Sequence, residues 1–233
     1  VVFTEKKQKI TALDDVSLHF SAGSFNVIVG YSGCGKTTLL RSVAGLTDYD
    51  GEVYYDGECV NNVPTQRRNL AYVSQQYVLY SNQTIFDNIA FPLKLMGAAP
   101  REIISTVNEI AEKLGIACCL TRKPKHISGG QQQRAAIARA LIKRPSLCLL
   151  DEPLSNVDAQ LRDEVRVRIK DTLKSLGCTV VYVTHDMREA MALADNLTVM
   201  SEGRIAVSGT PSEVFKSNDE TVRQLRGSGD ILW

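Results

Sequence analysis

The run Gly30-Tyr31-Ser32-Gly33-Cys34-Gly35-Lys36-Thr37-Thr38 places glycines, a lysine and threonines at the spacing of a phosphate-binding loop. It follows an apolar, strand-like segment and opens a helix-like run from Leu39 to Leu46. Glycines let successive backbone N–H groups point at one anion, and the helix N-terminus adds positive partial charge. Lys36 would reach the terminal phosphates, and the Thr37 hydroxyl would hold Mg²⁺. The pattern therefore predicts a site for ATP formed by Gly30, Ser32, Gly33, Cys34, Gly35, Lys36, Thr37 and Thr38.

A pair of carboxylates follows a second apolar segment, where Leu147 to Leu150 lead into Asp151 and Glu152. Ligands of α/β sheets bind at the carboxyl ends of the strands, so we expect both acids at the edge that carries the phosphate loop. Asp151 is predicted to hold Mg²⁺ through its water, and Glu152 to polarise the water that attacks the γ-phosphate. Without the phosphate loop, this Asp-Glu-Pro sequence would equally suit a solvated turn.

A second helix start also favours anions. Ser128, Gly129 and Gly130 precede the helical run Gln131 to Lys143, and a serine cap together with the helix dipole attracts negative charge. One phosphate loop already serves one nucleotide, so we expect this second start to act on a neighbouring molecule's nucleotide. Taken alone, it would be an ordinary capped helix.

The string from Ile127 to Gln131 resembles the signature motif of ABC ATPases, with Ile127 where leucine is usual. The resemblance covers nearly the whole chain, because the family's other motifs appear in order. They are Gly30 to Thr38 (Walker A), Gln75 (Q-loop), Ser128 to Gln131 (signature), Leu147 to Glu152 (Walker B), Ser155 to Asp158 (D-loop) and His185 (H-loop).

The resemblance implies a head-to-tail dimer in which two nucleotides lie between one subunit's Walker A and the other's signature. Ser128 and Gly130 would then contact the γ-phosphate in trans, with Gly129, Gln131 and Asp158 also at the nucleotide. Gln75 would contact Mg²⁺ and water and link the site to a membrane partner, and His185 would donate a hydrogen bond to the γ-phosphate. Catalytic roles thus fall to Glu152, His185 and Gln75, and metal contacts to Thr37, Gln75 and Asp151.

The family's other contact with the nucleotide is an aromatic ring that stacks on adenine, and Phe3 occupies the corresponding position in this sequence. Tyr31 is a weaker candidate. Outside this motif set, Gln75 and His185 would be read as solvated surface residues, and Phe3 as a core residue at a strand end.

The elements that must position these residues alternate between apolar strands and helices, which predicts an α/β fold with a mainly parallel sheet. An antiparallel hairpin is expected around Asp56-Gly57, and a strand-free helical region from Ile85 to Leu120. We predict a single ABC ATPase domain over 1–233, a P-loop NTPase with an inserted helical subdomain at about 85–140. The strand candidates are Phe25 to Val29, Leu70 to Ser74, Leu147 to Leu150, Thr179 to Val183, Leu197 to Met200 and Arg204 to Ser208.

Composition narrows the partners. With 27 Lys+Arg against 26 Asp+Glu, the net charge of +1 provides no overall basic field, so no nucleic acid is expected. No apolar run approaches the roughly 20 residues of a membrane span, and the first residues lack a signal-peptide pattern, so a membrane role would be peripheral. The six cysteines form no CxxC pair, which favours reduced core thiols and a cytoplasmic location.

The phrases Asp151 to Asp158 and Thr184 to Ala190 resemble those of prokaryotic importer ATPases, and Gly209 to Pro211 and Gln75 to Tyr80 those of carbohydrate and polyamine importers. The resemblance implies permease subunits bound through about Gln75 to Phe91, on the inner face of the cell membrane.

Three alternatives differ in what the sequence should show. A soluble ABC machine of translation or DNA repair would show tandem cassettes, a coiled-coil insertion or a basic field. A protein that only binds nucleotide would be favoured by loss of Lys36, Glu152 or His185. The sequence is also compatible with the motor subunit of an exporter, because exporters can use separate ATPase chains as well.

Overall fold

The computed structural model describes residues 1–5, 8–76, 78–155, 157 and 159–227. The chain forms two compact units, Val1–Leu70 with Thr179–Trp233, and Ala71–Cys178. The strands are β1 (Val2–Glu5), β2 (Gln8–Thr11), β3 (Phe25–Val29), β4 (Tyr54–Tyr55), β5 (Glu58–Cys59), β6 (Leu70–Val73), β7 (Leu147–Asp151), β8 (Thr179–Thr184), β9 (Asn196–Ser201) and β10 (Arg204–Gly209). The helices are α1 (Lys36–Ala44), α2 (Ile85–Leu95), α3 (Pro100–Lys113), α4 (Gly129–Leu141), α5 (Ala159–Leu176), α6 (Met187–Leu193), α7 (Pro211–Lys216) and α8 (Glu220–Gly227).

The first unit is built on a sheet with β3 at its centre. β3 pairs in parallel with β8 on one side and with β9 on the other, and β10 pairs antiparallel with β9. All five residues of β3 are buried, as expected for a parallel strand covered on both faces. The mainly parallel α/β sheet predicted from the apolar runs is therefore confirmed.

Two antiparallel hairpins accompany this sheet. In the predicted hairpin, β4 pairs with β5 across Asp56 and Gly57, whose φ angles of 50° and 83° suit a tight two-residue turn. The other hairpin joins β1 to β2, with Phe3 opposite Ile10.

The second unit contains helices α2, α3, α4 and α5 together with the neighbouring strands β6 and β7. α2 packs against both α3 and α4. Residues 85–120, all of which the structure describes, contain no strand, as predicted. The region 85–140 lies inside this unit, and its standing as a separate subdomain remains a prediction.

Helix starts differ from their predicted places for a physical reason. α1 begins at Lys36 rather than Leu39, and α4 at Gly129 rather than Gln131, because both glycine-containing loops turn directly into the helix. Among the residues that the structure describes, no helix combines the length and the apolar character needed to cross a membrane. All six cysteines are free. Cys34, Cys119, Cys148 and Cys178 are buried, as expected for core thiols, whereas Cys59 and Cys118 are exposed. Burial raises the pKa of the Cys148 and Cys178 thiols.

Candidate functional site

The predicted phosphate loop joins β3 to α1. Lys36 opens the helix and is 5% exposed, and its Nζ donates hydrogen bonds to the carbonyl oxygens of Gly30 at 2.7 Å and Tyr31 at 2.9 Å. The loop therefore curls around the ammonium group of its own lysine. α1 has no side-chain cap at Gly35, so its first turn presents backbone N–H groups, the arrangement that binds anions at helix starts.

Two glycines are required by this geometry. Gly35 has a φ of 105°, and a Cβ added there would lie 2.4 Å from the carbonyl oxygen of Ala12. At Gly30 an added Cβ would lie 2.4 Å from the carbonyl oxygen of Met200. Any side chain at either position would force the backbone apart and distort the cradle.

His185 lies at the same edge of the sheet as the phosphate loop. β3 and β8 are parallel neighbours with Val29 paired to Thr184, so Gly30 and His185 are each the first residue beyond these strands. Neighbouring strands lie about 4.8 Å apart. His185 is exposed at this edge, and its hydrogen bond to a γ-phosphate stays a prediction.

The turn that carries His185 is fixed by a carboxylate that the sequence did not indicate. Glu189 on α6 is buried and accepts hydrogen bonds from the hydroxyls of Tyr182 and Thr184. The Thr184 hydroxyl in turn accepts from the Asp186 backbone N–H at 3.1 Å. The residues on both sides of His185 are thus held. The signal available in the sequence was Glu189, an acid four residues after His185 in the helix that follows.

In the second unit, Asp151 ends β7 and is 3% exposed. The Tyr72 hydroxyl, from the neighbouring β6, donates to Asp151 Oδ2 at 3.3 Å. Sequence reasoning missed Tyr72, because strand alternation predicts its half-burial but not its partner. Gln75 follows β6, and its Nε2 donates to Glu152 Oε2 at 3.3 Å. The structure therefore brings together Gln75, Asp151 and Glu152.

Glu152 has a φ of 46°, which is uncommon for a residue other than glycine. A turn follows, in which the Ser155 N–H donates to the Glu152 carbonyl oxygen at 3.2 Å. Residues held in this conformation cluster at functional sites, where the surrounding structure compensates for the strain.

The start of α4 forms a capping box. The Ser128 hydroxyl accepts from the Gln131 N–H at 3.3 Å, and the Gln131 side-chain oxygen accepts from the Ser128 N–H at 3.0 Å. Ser128 and Gly129 are exposed. A hydroxyl that accepts one bond still has a proton to donate, so Ser128 has the chemistry to bind an outside anion.

Comparison with known proteins agrees with these motifs. The family model described as ABC transporter matches residues 13–155. The chain belongs to the ABC transporter family. A solved dimeric ATP-binding cassette in a post-hydrolysis state, bound to ADP and phosphate, superposes with a TM-score of 0.81 at 29% identity, covering 90% of this chain and 95% of that one. The P-loop, ABC ATPase fold predicted from the sequence is confirmed.

Curated relatives are import ATP-binding proteins. The trehalose/maltose import ATP-binding protein of Thermococcus litoralis is 44% identical over 214 residues, 89% of this chain and 58% of its own length. The sn-glycerol-3-phosphate import protein of Cupriavidus necator is 46% identical, with 88% and 57% covered, and the oligosaccharides import protein of Bacillus subtilis is 46% identical, with 90% and 58% covered. The chain spans less than two thirds of the length of these relatives.

Of the two remaining predicted nucleotide contacts, the structure describes Phe3 but not Asp158. Phe3 is 41% exposed on the β1–β2 hairpin. Its partner Ile10 lies two residues before Ala12, whose carbonyl oxygen borders Gly35 of the phosphate loop. An adenine-stacking role for Phe3 thus stays a prediction. Asp158 lies outside the described residues.

The predicted magnesium contacts of the ABC cassette offer the right donors. Within the described part of the chain, no group of three or more His, Cys, Asp or Glu is arranged to hold a metal ion by itself. Thr37 supplies a hydroxyl, Gln75 an amide oxygen and Asp151 a carboxylate, and Mg²⁺ prefers such oxygen ligands together with substrate phosphates. The donor set fits Mg²⁺ that arrives with a nucleotide.

Proposed function

We propose that this chain is the ATP-hydrolysing subunit of a solute importer. It binds MgATP, dimerises head to tail with a second ATPase chain, and drives transport through separate permease subunits. It works in the cytoplasm on the inner face of the cell membrane. The import function of its relatives supports the direction of transport.

The observation that carries this proposal is the cradle at Gly30 to Lys36. A buried ammonium, glycines whose Cβ positions are occupied by backbone, and an uncapped helix start together form a site for a polyphosphate. An anion in the loop would give Lys36 Nζ charged acceptors instead of the carbonyl oxygens of Gly30 and Tyr31. Phosphate oxygens carry negative charge and carbonyl oxygens do not, so the ammonium group gains Coulomb attraction in this exchange.

For hydrolysis, Glu152 accepts a proton from the attacking water while the water oxygen bonds to the γ-phosphorus. The bond from this phosphorus to the bridging oxygen breaks, and ADP leaves with that oxygen. The Gln75 amide that donates to Glu152 Oε2 orients the carboxylate. His185 donates to a γ-phosphate oxygen and stabilises the charge that develops there. Thr37, Asp151 and Gln75 would hold Mg²⁺, which would supply positive charge beside the phosphate oxygens.

The capped start of α4 supports the dimer. Ser128 and Gly129 are exposed, and a helix start of this kind binds anions. A second chain's γ-phosphate is the ligand we propose for Ser128, Gly129, Gly130 and Gln131. The dimeric state of the similar solved cassette supports this proposal.

The proposed permease surface follows Gln75. Val78 is 71% exposed and Tyr80 44% exposed, which leaves apolar groups available to a partner. We propose that residues 75–91 form this surface and that a helical subdomain at about 85–140 begins within this range. Tyr77, which belongs to this range, lies outside the described residues.

Two substitutions test the nucleotide site. Lys36→Ala removes the ammonium group, and we expect it to weaken ATP binding. Glu152→Gln keeps the shape of the side chain but accepts no proton, so it should bind ATP, lose at least about 100-fold in hydrolysis rate and accumulate an ATP-bound dimer. Nucleotide titration, phosphate release and size-exclusion chromatography with and without ATP measure these effects.

The matched controls are Lys143→Ala and Glu112→Gln, which change exposed residues of the same types. Both should behave as the unmodified chain. Hydrolysis by Glu152→Gln at the unmodified rate would remove Glu152 as the general base, and equal ATP affinity in Lys36→Ala would remove the phosphate role of the loop.

A further inference from the structure

The segment after Gln75 is fixed to helix α2 by one buried side chain. The amide of Asn88, which is fully buried, accepts from the Tyr80 backbone N–H at 2.7 Å and donates to the Tyr80 carbonyl oxygen at 3.1 Å. It also donates to the carbonyl oxygen of Thr84 at 2.9 Å. Residues 80–84 are therefore held against α2 and move with it.

A second contact fixes the same segment to α4. Arg139 donates from Nη2 to the Val78 carbonyl oxygen at 2.7 Å, and its guanidinium carbon lies 5.3 Å from the centre of the Tyr80 ring. The Tyr80 ring also packs against Phe91, with ring centres 4.9 Å apart. Burial lowers the pKa of Arg139, which nevertheless stays charged at neutral pH. Arg139 holds the part of the segment closest in sequence to Gln75.

The contact between Arg139 and Val78 connects two parts of the proposed ATP site, the start of α4 and Gln75. Arg139 and Ser128 belong to one helix, about 16 Å apart along its axis, so a shift of the helix start moves Arg139 as well. On the other side, Val78 is three residues from Gln75, at most about 10 Å of chain. Gln75 itself donates to Glu152.

We propose that Arg139 is a positioning residue that makes Gln75 and the start of α4 move together when ATP binds. The inference rests on the proposed function. Arginine suits the role because its planar guanidinium stacks on Tyr80 while it donates to Val78. Lysine would keep the charge and one hydrogen bond but lose the planar stack.

The test compares Arg139→Ala and Arg139→Lys with Arg101→Ala, a substitution of an exposed arginine on α3. All variants are assayed well below the midpoint of their thermal unfolding. We expect kcat for ATP hydrolysis to fall about tenfold in Arg139→Ala, with KM within about twofold, and to recover in part in Arg139→Lys. Tyr80→Leu should add little further loss to Arg139→Ala, because both remove the same contact.

Hydrogen exchange distinguishes coupling from general loosening. In a Glu152→Gln background, ATP should slow exchange at 78–84 and at 128–133 together. With Arg139→Ala added, we expect 128–133 to stay protected while 78–84 loses its ATP-dependent protection. Unchanged kcat in Arg139→Ala, with joint protection of both segments, would overturn the role of Arg139. Equal losses of kcat in Arg139→Lys and Arg139→Ala would overturn it as well, because lysine would then restore none of the activity.

Two further outcomes remain decisive. If Arg139→Ala does not fold, Arg139→Lys decides the question, because full activity with joint protection contradicts the need for the stacked guanidinium. If the unmodified chain neither binds nor hydrolyses ATP, the proposed function fails first, and the inference about Arg139 fails with it.

Discussion

Cys34 lies inside the phosphate loop next to the ammonium group that defines it. Its sulfur is 3.9 Å from Lys36 Nζ, and the side chain is 8% exposed. A Cβ added at Gly30 would lie 2.7 Å from this sulfur, so the thiol fills space on the inner side of the loop. A bulky group attached to Cys34 would therefore displace the backbone that is proposed to hold phosphate.

This position predicts that nucleotide controls the alkylation of Cys34. Saturating MgATP should lower the rate of Cys34 labelling by iodoacetamide about tenfold or more, because a bound phosphate holds the loop closed. Peptide mass spectrometry measures the rate. Cys59 and Cys118 are exposed and provide the internal control, since their labelling should not respond to MgATP. Equal labelling of Cys34 with and without MgATP would contradict this position of the nucleotide.

Residue type and spacing alone lead to the predictions for Lys36 and Glu152, because the motifs that contain them are continuous in sequence. The partners of Asp151 and His185 required the fold. Tyr72 reaches Asp151 from another strand, and nothing in the sequence states which strands are neighbours. Local motifs thus predict the reacting groups, while the groups that orient them depend on tertiary pairing.

At the scale of elements, buried strands were predicted almost to the residue, and helix starts were not. β3 and β8 have mostly apolar residues at successive positions, which is the pattern of strands that are buried on both faces. The β1–β2 hairpin was missed, because its strands are short and carry Lys, Gln and Glu beside the apolar residues. α1 starts at Lys36 because the loop glycines adopt positive φ angles, a conformational choice that the apolar period does not record.

The proposed permease surface allows a matched comparison between two exposed apolar residues. Val78 is 71% exposed and Leu95 is 73% exposed, but only Val78 belongs to residues 75–91. Val78→Glu should weaken binding of the chain to inverted membrane vesicles of the source cells about tenfold, because a charge would have to be buried at the interface. Sedimentation with the vesicles measures the binding.

Leu95→Glu is the control and should bind as the unmodified chain does. Both variants should retain ATP affinity, since neither residue belongs to the nucleotide site. Equal losses in both variants, or none in Val78→Glu, would place the permease surface elsewhere on the molecule.

At the scale of the whole molecule, the two helix starts proposed to bind phosphate in one chain lead us to predict that each ATP site is shared between two chains. One start follows the phosphate loop at Lys36, and the other is capped by Ser128. If both acted on one nucleotide within a chain, damage to either start would abolish that chain's site, and no second chain could restore it. A shared site allows rescue.

The prediction is complementation between two inactive proteins. In a head-to-tail pair of Lys36→Ala with Ser128→Arg, one site carries both defects, and the other joins an intact phosphate loop to an intact α4 start. We expect each variant alone to lose hydrolysis and the mixture to regain up to about half of the activity per heterodimer. Differently labelled chains allow ATP-dependent heterodimer formation to be measured beside single-turnover hydrolysis.

Heterodimers without turnover would mean that both sites must be intact together. If ATP brings no two chains together, even with Glu152→Gln added to both to prevent hydrolysis, Ser128 does not act on a neighbouring chain's nucleotide.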